Sequence, residues 1–184
     1  MARMVGRSMP ASVAASAGAG NPRRRGTMAG WMSSQSLTIA SAMQANAELA
    51  VQYARDHYKW ELDYTPESLD RADKIMDIVH VELPKSFLAR ALKRAAIDEE
   101  VWTMAKTWGG YVGETFRRTW GGRWKTVPQQ DGPVDVVLEL PFARCHVVEQ
   151  ARWRIAEGSG ERMTEIYASL NRQHQAVSKT GDIP

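Results

Sequence analysis

The sequence holds a single cysteine, Cys145, so no disulfide can form within the chain and no zinc site can be built on paired thiolates. A reducing compartment, the cytoplasm, is the simplest expectation. No stretch of about 18 apolar residues runs free of charge, so no membrane span is expected. Phenylalanine is scarce, with three in 184 residues, whereas tryptophan numbers seven, five of them from Trp102 to Trp153. Acid is missing from residues 1–36, which hold five arginines and neither Asp nor Glu. The remaining 148 residues carry 19 of the 24 bases against all 21 acids, a net −2. The formal charge of +3 therefore belongs to the first segment. The rest has no basic excess to release counterions from a phosphate backbone, so no nucleic-acid partner is expected.

Residues 1–36 are rich in Ala, Gly, Ser, Arg and Met, with Trp31 as their one aromatic. Such a segment buries too little apolar surface to offset its conformational entropy, and disorder is expected. Two other readings stay open. A targeting segment would use Arg3 and Arg7, although Met9–Ala15 lacks Leu, Ile and Phe and makes a poor apolar core for a signal peptide. Alternatively, translation starts at Met28 or Met32. The expected organisation is a tail over 1–36, one domain over 37–175, and a frayed terminus over 176–184.

From Leu37 the pattern is helical. Leu37, Ala40, Met43, Ala47, Val51, Ala54 and Tyr58 recur at steps of three and four, an Ala-rich stripe that lets a partner helix come close. Thr65-Pro66-Glu67 predicts a helix start with Thr65 as cap, and Leu69, Ala72, Met76 and Val79 as its inner face. Pro84 separates it from a third helix near Lys85–Ala95. Asp98-Glu99-Glu100 predicts the start of a fourth, running to Trp120. Gly109, Gly110 and Gly113 lie inside that helix, each costing about 1 kcal/mol against Ala, so close packing at Gly109 and Gly113 is expected. Gly121-Gly122 ends it.

Strand character follows over Arg123–Val127 and Val134–Leu140, joined by turn residues 128–133. A third strand is expected over 143–147, because two strands alone are marginal. Helices at Val148–Ala156 and Glu161–Gln173 close the chain. The fold class is α+β, mostly helical, with a small antiparallel sheet of two or three strands packed against helices.

The most pointed chemistry surrounds Glu114. Glu114, Arg117 and Arg118 lie at i, i+3 and i+4, so the carboxylate can pair with either arginine. One reading makes Glu114, Arg117 and Arg123 the walls of a cleft, with Tyr111 and Trp124 as further binding residues. The other makes Glu114 a tie between helix and hairpin. A single carboxylate with no partner acid or metal cluster is not a catalytic constellation, which favours the second. The glycines are not a phosphate loop, since no Gly-Lys-Ser/Thr follows. His57, His80, His146 and His174 show no metal-ligand spacing, and no metal or cofactor is expected. Cys145 and His146 are adjacent, so on a strand they face opposite ways and cannot act as a nucleophile–base pair. The tryptophans are mostly core by spacing, and an exposed one beside an arginine would make a contact hot spot.

Leu62-Asp63-Tyr64-Thr65-Pro66-Glu67-Ser68-Leu69, Gly110-Tyr111-Val112-Gly113-Glu114, Gly122-Arg123-Trp124, and Ala151–Arg154 with Gly158 and Tyr167 together resemble a widespread bacterial family of small domains of unknown function. The resemblance covers about residues 60–170, and the Gly158-Ser159-Gly160 turn is looser than the family pattern. It implies a bacterial source and a helix-plus-small-sheet fold, and no reaction. The expected function is a non-catalytic protein-binding domain, of the kind that neutralises a toxin (an immunity protein) or serves as an accessory subunit. The alternative is an enzyme or small-ligand binder using the Glu114/Arg117/Arg123 region. The oligomeric state is left open.

Overall fold

A computed structural model describes residues 38–83, 87–128, 134–158 and 160–180, with backbone alone for 87–96 and 180. The expectations for residues 1–36, Pro84, the turn at 129–133, Ser159 and 181–184 lie outside the described residues. The chain is α+β and mostly helical, with five α-helices and a three-stranded antiparallel sheet among those residues.

Helix α1 (Ile39–Tyr53) starts at Thr38, whose hydroxyl accepts from Ser41 N at 3.2 Å, as an N-cap should. Met43, Ala47 and Ala50 form its buried stripe, continued by Ala54. A π-helical turn, Ala54–Tyr58, follows and stops at Lys59, which takes a left-handed φ of 59°. Helix α2 (Leu69–Glu82) is entered through a 3₁₀ turn over Pro66–Ser68. Thr65 does not cap it with its side chain. Asp63 instead accepts from Thr65 N at 3.1 Å and Thr65 Oγ1 at 2.6 Å, and Ser68 Oγ donates to Thr65 O at 2.6 Å. The short aspartate fastens the turn from two residues before the threonine.

The two expected helices at Lys85–Ala95 and Asp98–Trp120 are one, α3 (Phe87–Trp120), 34 residues long. Asp98 is not a cap. No Gly or Pro stands between Ala95 and Asp98 to break the ladder, and Asp98, Glu99 and Glu100 sit exposed within it. Val101, Ala105, Trp108, Val112 and Phe116 are its buried face. Trp108, whose indole N–H has no acceptor among the described residues, meets Tyr53 edge-on at 6.1 Å.

The in-helix glycines are seats for neighbours. A Cβ at Gly109 would stand 2.6 Å from Val148 Cα, and one at Gly110 would stand 2.9 Å from Met43 O. At Gly113 it would run into the Trp124 ring. So α3 packs on α1 through Gly110, on the helix that begins at Val147 through Gly109, and on the first strand of the sheet through Gly113. This close packing is the reason the sequence tolerates three weak helix formers in five positions.

Strands β1 (Arg123–Val127), β2 (Asp135–Glu139) and β3 (Arg144–Cys145) pair in that order, with Trp124 opposite Leu138 and Leu138 opposite Cys145. Leu138 and Leu140 are buried, but Val134, expected on the same face, lies before the ladder and is 56% exposed. Helix α4 (Val147–Glu157) follows β3 directly. Helix α5 (Met163–Thr180) continues five residues past the expected boundary at 175. Its Tyr167 stacks on Trp120 at 4.7 Å and meets Phe116 at 5.9 Å, fixing α5 to the end of α3.

Candidate functional site

Glu114 is 1% exposed. Both carboxylate oxygens are engaged. Arg117 Nε donates to Oε1 at 2.9 Å and to Oε2 at 3.1 Å, and Arg117 Nη2 donates to Oε2 at 2.9 Å. Trp124 Nε1 donates to Oε1 at 2.8 Å. Helix spacing sets the first partner, since i and i+3 share a face. Strand alternation sets the second, because burying Trp124 on β1 turns its neighbours outward. The indole then reaches Gly113 with its six-membered ring, one residue before the glutamate. The hydrogen bond to Glu114 pushes the Arg117 guanidinium above its ordinary pKa. The charge is therefore held inside a joint between α3 and β1.

One turn toward the N-terminus, Tyr111 is fully buried, and burial raises its pKa. Its hydroxyl shares a short hydrogen bond with Ser68 Oγ and accepts from Tyr64 N at 3.2 Å. Tyr64 has a left-handed φ of 62°, uncommon for a bulky residue. Its ring lies between Tyr111, at 5.0 Å, and the Arg118 guanidinium, 3.4 Å from its centroid. Burial raises the Tyr64 pKa, and the Arg118 charge opposes that rise.

A cleft of about 250 Å³ opens here, lined by Gln44, Glu48, Tyr64, Glu114, Arg117 and Arg118. Of the residues singled out from sequence, Tyr111, Glu114, Arg117 and Trp124 come together. Arg123 does not. It is exposed on β1 opposite Glu139, outside the residues lining the cleft. The reason is alternation, since the residue before an inward Trp124 faces away from it. Arg118 takes the place expected of Arg123, held by the Tyr64 ring.

A second buried carboxylate was not singled out from sequence. Asp73, on α2, is fully buried and caps α5. Its oxygens accept from Met163 N at 2.9 Å, Thr164 N at 3.2 Å and Thr164 Oγ1 at 3.1 Å, satisfying N–H groups that a helix start leaves without partners. Arg154 on α4, 6% exposed, lies between Asp73 and Asp77. Its Nε stands 3.4 Å from Asp73 Oδ1, an ion pair without hydrogen-bond alignment, while Nη2 donates closely to Asp77. The available signal was Asp73 and Asp77 at i and i+4 beside the apolar stripe of α2, with an arginine in the closing helix.

Cys145, His80 and His146 do not line the Glu114 cleft. Cys145 is buried, which pushes its thiol up to about 11 and leaves it protonated near neutrality. His146 points outward and pairs with Asp135 at 2.7 Å, and His80 Nδ1 meets Ile155 O at 2.8 Å. Among the described residues no cluster of three His, Cys, Asp or Glu side chains is placed to hold a metal, and no helix is long and apolar enough to cross a membrane. No family model, curated protein or solved structure matches this chain.

Proposed function

We propose that this chain is a non-catalytic protein-binding domain, of the immunity-protein or accessory-subunit kind, bacterial in source and cytoplasmic. The observation that carries this reading is the state of Glu114. The carboxylate of Glu114 already accepts four hydrogen-bond contacts from Arg117 and Trp124. A substrate proton would have to displace those partners, which is costly for a buried charge. Exposed Trp153, beside Arg152, adds the aromatic-plus-arginine surface typical of contact hot spots. The bacterial source rests on the family resemblance.

The second reading, a small-ligand binder, is favoured by the cleft at Gln44, Tyr64, Arg117 and Arg118, with Arg118 replacing Arg123 in it. Its volume of about 250 Å³ is below the usual range for a ligand pocket, about 300–1,000 Å³. Crosslinking the full chain in a lysate of its source, followed by identification of what it captures, tests the choice. Recovery of a defined protein in near-stoichiometric amount is the expected result. No protein above background, together with saturable binding of inorganic phosphate or acetate that Arg118→Ala abolishes, would overturn it.

A further inference from the structure

A second cavity, of about 500 Å³, lies between α3, the start of β2 and the first turn of α4, and among the described residues it shares no lining with the Glu114 cleft. Its α3 wall carries Glu99, Trp102 and Lys106, which fall on one helix face at steps of three and four. Val134, just before β2, and buried Val148 add apolar lining. Val134 is 56% exposed, so apolar surface stands open there.

Among the described residues that line this groove, the charge is mostly negative. Glu99, Asp135 and Glu149 stand against one ammonium, Lys106, with the Arg152 guanidinium at the rim. Asp135 holds His146 and Glu149 holds Arg152, whereas Glu99 makes no ion pair among the described residues. Arg152 already shows what this rim accommodates. Its guanidinium forks onto Glu149 while lying 5.1 Å from the Trp102 centroid and 5.0 Å from that of Trp153. An indole face beside a carboxylate attracts a cation through both the ring quadrupole and the charge.

We infer that this groove docks a basic, apolar-flanked peptide segment of a partner protein, with an Arg or Lys side chain between Trp102 and Glu99. An adjoining apolar side chain covers Val134 and Val148. A phosphate-bearing partner is disfavoured by the same carboxylates. The inference rests on the protein-binding reading and names the surface that serves it.

The test uses the full chain and three fluorescent pentapeptides, Leu-Arg-Leu-Arg-Leu, Leu-Glu-Leu-Glu-Leu and Ser-Arg-Ser-Arg-Ser, followed by anisotropy. The first should bind saturably, the second should not, and the third should bind more weakly than the first. Glu99→Lys and Val134→Lys reverse or add charge at two exposed lining positions from different segments of the chain, so each variant should fold. Each should weaken the first peptide about tenfold or more. Equal binding of the Arg and Glu peptides, or unchanged binding by both variants, would overturn the inference. If the wild-type chain captures a protein partner and both variants leave that capture intact, the groove falls and the protein-binding reading stands. If the wild-type chain captures no protein, both fall.

Discussion

Glu114 and Asp73 are both buried carboxylates, yet they are built in opposite ways. Glu114 takes its partners from nearby in sequence, Arg117 three residues on and Trp124 ten residues on. Asp73 takes its partners from 81 to 91 residues away, Arg154 on α4 and the first residues of α5. The first joint fastens a helix to the strand that follows it. The second fastens three helices at once and replaces a local cap with a side chain from another helix. A residue that closes one local joint can be read from its neighbours. A residue that closes a long-range joint cannot, although its loss should cost more.

The sharpest way to break this comparison is Asp73→Ala. It leaves Arg154 buried beside Asp77 alone and uncaps the start of α5, and should cost about 3–5 kcal/mol in a urea melt. Adding Arg154→Met should recover part of that loss, because it removes the buried charge that the first substitution strands. A loss below about 1 kcal/mol for Asp73→Ala would show that the joint is incidental.

Glu114→Gln should cost less, about 1–3 kcal/mol at neutral pH. The amide oxygen keeps an acceptor for Trp124 Nε1, but Arg117 loses its counter-charge. An unchanged or raised midpoint with an unchanged slope would instead favour the ligand-binding reading, as functional-site substitutions often stabilise.

Gly113→Leu tests the same joint from the side of shape, with an expected cost of about 1–3 kcal/mol as the added side chain drives into the Trp124 ring. Tryptophan fluorescence should shift as the ring moves. Leucine is the better helix former, so a gain of a few tenths of a kcal/mol in the same melt would refute close packing.

The smallest effect belongs to Arg118→Ala. Arg118 is exposed and lies on the Tyr64 ring without an ion pair among the described residues, so about 0.5–1 kcal/mol should be lost. A loss as large as that for Glu114→Gln would mean that the strained Tyr64 backbone depends on Arg118 more than on Tyr111.

Much of the Glu114 joint was legible because helix and strand periods act locally. Helical spacing narrowed the partner of Glu114 to Arg117 or Arg118, of which the structure pairs Arg117, and the cost of glycines inside a helix signalled a close neighbour at Gly109 and Gly113. Alternation also explains Arg123, since the strand that buries Trp124 turns the residue before it outward. The break expected at Asp98 failed for another reason. Asp-Glu-Glu suits a helix start and an exposed helical face equally well, and only the backbone on either side tells them apart.

The sequence by itself determined the α+β class, the first two strands, most of the amphipathic faces and the pair of arginines, Arg117 and Arg118, within reach of Glu114. Each follows from steric periods and propensities that act over a few residues. Tertiary structure alone decided which neighbour each glycine receives, that Arg118 rather than Arg123 reaches the cleft, and that Asp73 caps a helix 90 residues away. Those outcomes depend on which helices pack together, and a buried charge takes whichever donors that packing delivers, whatever their distance along the chain.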